Sequence, residues 1–212
     1  MEKALNAFNT MSAKYEKIFS TGFYPARQST GFTEQNLVHS YVNALIKTLG
    51  DDSFEWLEFP WKDNKQHIDA IVISEKNNSI YYIEAKRLSV GQIKFWSLSK
   101  DIGRIKEGYE DKDKHCRDIK DEHKMDISQY KHIIVALADI WIEKDFTKNI
   151  FNAWKGEEKL LQKFEDHQHL SSLLKNRSAC LHKDFQEDYF SINEKADKRI
   201  KNYKLLIAVE TL

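Results

Sequence analysis

The stretch that decides the fold runs from His67 to Lys86 and reads HIDAIVISEKNNSIYYIEAK. Two runs of β-branched and aromatic residues flank a short polar turn, a pattern that predicts a β-hairpin. Asp69, Glu84 and Lys86 interrupt these otherwise apolar strands. Because charged side chains are rarely buried without a partner, the three residues are the first candidates for a functional site.

The spacing of these residues predicts that they lie together. Glu84 and Lys86 are two positions apart, so strand alternation directs both side chains to one face and Ile83 and Ala85 to the other. A hairpin would bring Asp69 across from Glu84. Two carboxylates at close range repel, and Mg²⁺ is a common intracellular counterion for carboxylate ligands. The hairpin therefore predicts a site for a divalent cation.

On either side of this stretch, and within it, hydrophobic periodicity predicts five helices and five strands in all. The helices cover residues 4–19, 34–49, 91–109, 145–154 and 157–174, and the strands cover 54–61, 67–74, 79–86, 133–138 and 203–209. The first three strands should form an antiparallel meander. Residues 21–32 should be an exposed connector, and residues 110–125 a loop or frayed helix. No repeat or linker divides the chain, which favours one α/β domain over residues 1–212 with a helical insertion at about 145–176.

Composition limits the classes of function. The chain has 212 residues, 41% of them hydrophobic, with 33 basic and 33 acidic side chains. A neutral chain has no global field for a polyanion, so any nucleic-acid site must be a local patch. No apolar leader or membrane span is evident, and the two cysteines, Cys116 and Cys180, are far apart. These features favour a soluble, cytoplasmic protein with free thiols and no membrane partner.

The motif resembles that of the PD-(D/E)XK nuclease superfamily. Asp69 is followed, after 14 residues, by Glu84-Ala85-Lys86, and the order of helix, three strands, helix and strand is also similar. Ile68 stands where the family's name has proline. The resemblance implies a restriction endonuclease-like α/β fold, with a central mixed β-sheet flanked by helices. Its core would cover about 31–138 and the C-terminal strand 203–209.

The resemblance also implies an activity. Asp69 and Glu84 would hold Mg²⁺, or Mn²⁺ as a substitute, with the Ala85 carbonyl and Glu34 completing the site, and Lys86 would assist the nucleophile. The expected function is a Mg²⁺-dependent DNA endonuclease in restriction, other defence against foreign DNA, or DNA repair. The alternative is a nucleic-acid-binding or protein-interaction module on the same fold that does not cut.

Further residues have weaker signals. Lys100 and Arg104, on the predicted helix 91–109, are candidates to contact DNA phosphates, although a solvated helix surface is the competing interpretation. Trp96, on the same helix, is interpreted as a packing residue. His67 shares a strand face with Asp69 and could support the site or be simple strand polarity.

Two other groups of residues are considered, one as a metal site and one as a protein interface. The histidine and cysteine clusters lack the paired spacing of a zinc site and are interpreted as polar surface; they comprise His115, Cys116, His123, His167 and His169. Five apolar residues of the insertion exceed what one small sheet needs and slightly favour a homodimer surface over a DNA-clasping arm or plain stabilisation of the fold; they are Phe146, Ile150, Phe151, Trp154 and Leu160.

Overall fold

A computed structural model describes most of the chain. The described residues are 1–20, 33–61, 66–88, 92–110, 116, 119–121, 124–142, 145–163, 168–185 and 203–212. The predicted connector 21–32, most of the segment 110–125, and His115, His123 and His167 lie outside them. No helix in the described ranges is both long and apolar enough to cross a membrane.

The main elements in the described ranges are six helices and six strands in an α/β arrangement. The helices are α1 (Glu2–Ser20), α2 (Glu34–Leu49), α3 (Gln92–Tyr109), α4 (Asp145–Trp154), α5 (Glu158–Lys163) and α6 (Gln168–Lys175). The strands are β1 (Ser53–Trp61), β2 (Gln66–Ser74), β3 (Ser79–Arg87), β4 (Lys131–Trp141), β5 (Cys180–Asp184) and β6 (Tyr203–Thr211). The segment predicted as one helix over 157–174 is thus described in two pieces, α5 and α6.

The strands form one mixed sheet in the order β1-β2-β3-β4-β6-β5. The predicted antiparallel meander of β1, β2 and β3 is confirmed, and β3 pairs with β4 in parallel through the crossover that contains α3. Strand β5 was not predicted. Its sequence, Cys-Leu-His-Lys-Asp, is short and mostly polar, because β5 is an edge strand that buries little beyond Cys180.

Helices cover both faces of the sheet and enclose two cores. Helices α1 and α2 cover one face, and α3, α4 and α6 cover the other. The predicted stripe of α1 is confirmed, since its residues are all buried: Ala4, Phe8, Met11, Tyr15 and Phe19. Helix α2 begins as predicted, because the Thr33 side chain accepts a hydrogen bond from the Asn36 N–H at 3.1 Å, and it ends at Gly50. There φ is +105°, a conformation that favours glycine.

The apolar residues of the insertion pack inside the fold. Ile150, Phe151 and Trp154 of α4 are buried in the core on the α3 side, and Phe146 and Leu160 pack against it. Trp154 is fully buried and its indole N–H donates to the Ile207 carbonyl at 3.1 Å. The argument for a homodimer from these residues was therefore wrong, because a single chain already covers them.

The buried face of α3 differs from the predicted one in its first turns. Phe95, Leu98, Ile102 and Ile105 are buried, whereas Ile93 is 76% exposed. Trp96 is 50% exposed, so its interpretation as a packing residue was wrong. Two apolar stripes were available in the sequence, and only the contact with the sheet decides which is buried.

The cysteine prediction is confirmed in part. Cys116 and Cys180 are both free thiols, and both are buried. Cys116 was also interpreted as part of a polar surface cluster, which was wrong, because it packs in the core on the α3 side. His169 is partly exposed and lies 3.9 Å from Glu107 Oε1.

We expect Trp154→Ala to lower the free energy of unfolding by about 3–5 kcal/mol, since it removes a fully buried aromatic side chain. Trp154→Phe should cost less, because it keeps a six-membered aromatic ring and loses only the remainder of the indole with its hydrogen bond to Ile207. Urea denaturation measures both differences, with the half-exposed Trp96→Ala as the control. Equal, small effects of the two alanine variants would contradict an insertion packed into the core.

Candidate active site

The candidate site forms where β2 separates from β3. Their hydrogen-bonded pairing runs from Ser74 and Ser79 to Ala70 and Ile83 and stops there. Beyond that point the Asp69 carboxylate takes the place of a backbone acceptor, because its Oδ2 accepts the Ala85 N–H at 2.7 Å. The side chain of Asp69 is thus held against the end of β3.

Glu34 occupies the next position along the same edge. Its Oε1 accepts the Arg87 N–H at 3.1 Å and the Lys94 ammonium at 3.1 Å. Alternate residues of a strand direct their N–H groups to the same edge and lie about 7 Å apart. Asp69 and Glu34, from different elements, therefore lie near each other, and both line one cleft of about 600 Å³.

Lys86 lies among three carboxylates. Its Nζ is 3.2 Å from Asp101 Oδ2, 3.7 Å from Asp69 Oδ2 and 3.9 Å from Glu84 Oε2. Ile83 and Ala85 are buried in the opposite core, so the predicted division of this strand into two faces is confirmed. Because Asp69 and Glu84 both contact the same ammonium nitrogen, they lie on one side of β3, as the hairpin predicts.

Helix α3 supplies the remaining charges. Arg104 Nη2 donates to Glu84 Oε1 at 2.9 Å and to the His67 carbonyl at 3.0 Å, and Arg104 Nη1 lies 3.6 Å from Asp101 Oδ1. Glu84 is only 1% exposed. The inner cluster thus holds three acids and two bases, an excess of one negative charge in a largely buried place.

Burial and this charge excess shift the proton equilibria. Burial, followed by the charges of Asp69 and Asp101, raises the pKa of Glu84 well above its usual value, against the opposing pull of Lys86 and Arg104. Burial would lower the pKa of Lys86, but its three carboxylate neighbours outweigh that effect and raise it. Lys86 is therefore a protonated donor at neutral pH, not a base.

Of the residues predicted from sequence, Glu34, Asp69, Glu84 and Lys86 converge on this end of β3. Arg104 also lies in the cluster, where it neutralises Glu84, whereas it was expected on the DNA-facing surface of α3. Lys100 is exposed on α3, with its Nζ 5.4 Å from the centroid of the Trp96 ring. The His67 side chain is exposed, and its backbone carbonyl contacts Arg104.

Two residues of the site were missed. Asp101 was not among the candidates from sequence, yet it makes the shortest contact with Lys86. Its spacing of three from Arg104 places the two on neighbouring helix positions, which was the available signal. Glu58 lines the cleft with Asp69 and Glu34 and has φ +51° within β1. No sequence signal marks that conformation for a glutamate.

A second polar network supports the end of β3 from the opposite face. The Arg87 guanidinium lies 3.2 Å from Asp139 Oδ2 of β4, and the Tyr203 hydroxyl of β6 donates to the same oxygen at 3.0 Å. Burial raises the pKa of Asp139 to about 6, although Arg87 and Tyr203 act in the opposite direction. Because the Arg87 backbone N–H holds Glu34, this network bears on the position of Glu34.

The open donor atoms at the site are oxygens. Asp69 uses Oδ2 and Glu34 uses Oε1 for the contacts above, and within the described ranges Oδ1 of Asp69 and Oε2 of Glu34 have no hydrogen-bond or ion-pair partner. Hard cations such as Mg²⁺ prefer such ligands. The donor set fits a divalent cation, although no three His, Cys, Asp or Glu side chains in the described part of the chain already converge as a metal-binding group.

Comparison of this chain with protein-family models, with curated proteins and with solved structures found no match.

We expect Glu84→Gln to raise the thermal midpoint at pH 7.5 by an amount equivalent to about 0.5–2 kcal/mol, as neutralising a destabilising site residue commonly does. Folding raises the pKa of Glu84 in the wild-type protein. The free energy of unfolding of the wild type therefore falls as the pH rises above the pKa of Glu84 in the unfolded chain, which is about 4.3. Glutamine has no proton to lose, and the advantage should vanish at pH 4. Thermal unfolding at both pH values checks this; a destabilised variant at pH 7.5 would contradict it.

Proposed function

We propose that the protein is a Mg²⁺-dependent DNA endonuclease with a restriction endonuclease-like fold. The observation that carries the proposal is the pair Asp69 and Glu34, each anchored by one oxygen to β3 and open at the other toward the same cleft. The mixed six-stranded sheet flanked by helices is consistent with that fold. Defence against foreign DNA, as in restriction, or DNA repair is the proposed setting.

The proposed metal ligands are Asp69, Glu84 and Glu34, with the carbonyl of Ala85. The Ala85 N–H points toward Asp69, and the carbonyl of a strand residue points to the same edge as its N–H. When bound, a divalent cation neutralises a phosphodiester oxygen and lowers the pKa of water. Mn²⁺ should substitute for Mg²⁺, because it takes the same oxygen ligands.

Glu84 must release Lys86 before it can serve as a metal ligand. The carboxylates around Lys86 make this exchange favourable. The Lys86 ammonium now contacts both Asp69 and Glu84, but its closest contact is to Asp101. A cation between the two acids would therefore displace Lys86 toward a carboxylate that already holds it. Arg104 can keep its bond to the other oxygen of Glu84.

Lys86 has the role of a donor in this proposal. Its raised pKa keeps it charged at neutral pH, so it can orient the attacking water through that water's oxygen. It can also stabilise the negative charge that develops on the phosphate oxygens during in-line displacement. Lys86 does not remove a proton from the water, because an ammonium group has no acceptor.

The alternative is a module that binds nucleic acid without cutting it. One observation favours it, namely that both oxygens of Glu84 face basic groups, Arg104 and Lys86, which leaves Glu84 already neutralised. The two proposals differ in metal dependence. A non-cutting module should bind DNA equally well with and without Mg²⁺ and should leave every substrate intact.

We expect purified protein to cleave DNA only with Mg²⁺ or Mn²⁺, and Asp69→Asn and Lys86→Gln each to slow cleavage by about 10²–10³-fold, since each removes a charge from the reacting centre. EDTA should abolish cleavage. The matched control is Asp184→Asn, the same change on the exposed edge strand β5, which should leave the rate unaltered. Cleavage that survives Asp69→Asn would refute the assignment of the site.

A further inference from the structure

The first turns of α3 have an exposed apolar face that the core does not use. Trp96 is 50% exposed and Ile93, three residues before it, is 76% exposed. The face of α3 that packs on the sheet consists of other residues: Phe95, Leu98, Ile102 and Ile105. The indole of Trp96 is therefore available to a binding partner.

The charges around Trp96 favour a polyanion. Residues 92–100 contain no acid, and their two lysines are Lys94, which pairs with Glu34, and Lys100, which lies one helical turn after Trp96. The Lys100 ammonium lies 5.4 Å from the centroid of the Trp96 ring, within the range of a cation–π contact. An exposed indole with a cation over it is suited to hold a base against the ring and a phosphate against the ammonium.

This face is continuous with the candidate active site. Arg104 follows Lys100 by four residues, which places the two on neighbouring positions of the same side of α3, and its guanidinium donates to Glu84 Oε1. A polynucleotide with a phosphate at Asp69 and Glu34 would reach Trp96 by passing along this side of α3.

We propose that Trp96 and Lys100 form a stacking platform for an unpaired base, and that the substrate is single-stranded DNA or the single-stranded part of a branched DNA. In an intact duplex the faces of the bases are covered by their neighbours, so an indole on the protein surface has nothing to stack on. A single strand exposes those faces. The position of the platform beside a scissile phosphate rests on the proposed nuclease function.

The test measures equilibrium binding in EDTA, so that no cleavage is needed. The probes are an oligodeoxynucleotide of about 20 nucleotides, longer than common ~4–16 nucleotide single-strand sites, and a blunt duplex of the same length. Trp96→Leu should weaken binding of the single strand by about 10-fold and leave duplex binding unaltered. Trp96→Phe, which keeps an aromatic ring, should bind within about 2-fold of wild type.

Two further variants separate stacking from charge. Lys100→Ala should reduce the slope of log affinity against log salt concentration by about one. The control is Lys155→Ala, which removes a lysine from a comparable contact with the Phe151 ring on α4 and should alter neither affinity nor salt dependence. A single abasic nucleotide moved along the strand should weaken wild-type binding at one position and have no effect there in Trp96→Leu.

The platform is refuted if Trp96→Leu, with an unaltered thermal midpoint, binds the single strand like wild type or loses affinity for strand and duplex equally. These outcomes are independent of the nuclease proposal. If Trp96→Leu loses affinity for the single strand, and neither the wild-type protein nor any variant cleaves DNA, the platform is supported and the nuclease proposal is refuted. Cleavage that depends on Asp69, with normal binding by Trp96→Leu, would do the reverse.

Discussion

The candidate site depends on one constraint, namely that two backbone N–H groups of β3 need acceptors where β2 no longer provides them. Partly buried amide groups without a partner are costly. Asp69 and Glu34 meet this need with one carboxylate oxygen each. The hydrogen bonding of the sheet thus places two acids from different elements at one edge of the cleft. Each acid keeps a second carboxylate oxygen that can bind a ligand.

Charge balance is the second feature of the site, and it is unfavourable for stability. Burial and two neighbouring acids raise the pKa of Glu84, even though Arg104 and Lys86 contact it. Even when basic groups hold it, a buried carboxylate is often less favourable for stability than well-packed apolar residues would be in its place. The presence of Glu84 between the buried residues Ile83 and Ala85 is typical of a functional site, in which stability is sacrificed for chemistry.

The remainder of the fold holds this end of the sheet in place. On one face Asp139 binds the Arg87 side chain and accepts a hydrogen bond from the Tyr203 hydroxyl, which links β3 to β4 and β6. On the other face α3 brings Asp101 and Arg104 to the cluster while its buried residues pack on the sheet. The insertion contributes to the same core through Trp154. The charged groups are thus positioned by apolar contacts on both faces of the sheet.

The sequence by itself determined most of the elements and the main acids, because period-2 and period-3.6 patterns and the spacing of Asp69, Glu84 and Lys86 are local properties. It could not determine which stripe of α3 is buried, that Arg104 turns inward to Glu84, or that Glu58 adopts a positive φ in the cleft. Strand β5 could not be predicted from the sequence either. Each depends on a neighbour distant in the chain, and only tertiary packing decides which of two locally acceptable arrangements buries more apolar surface and satisfies more charges.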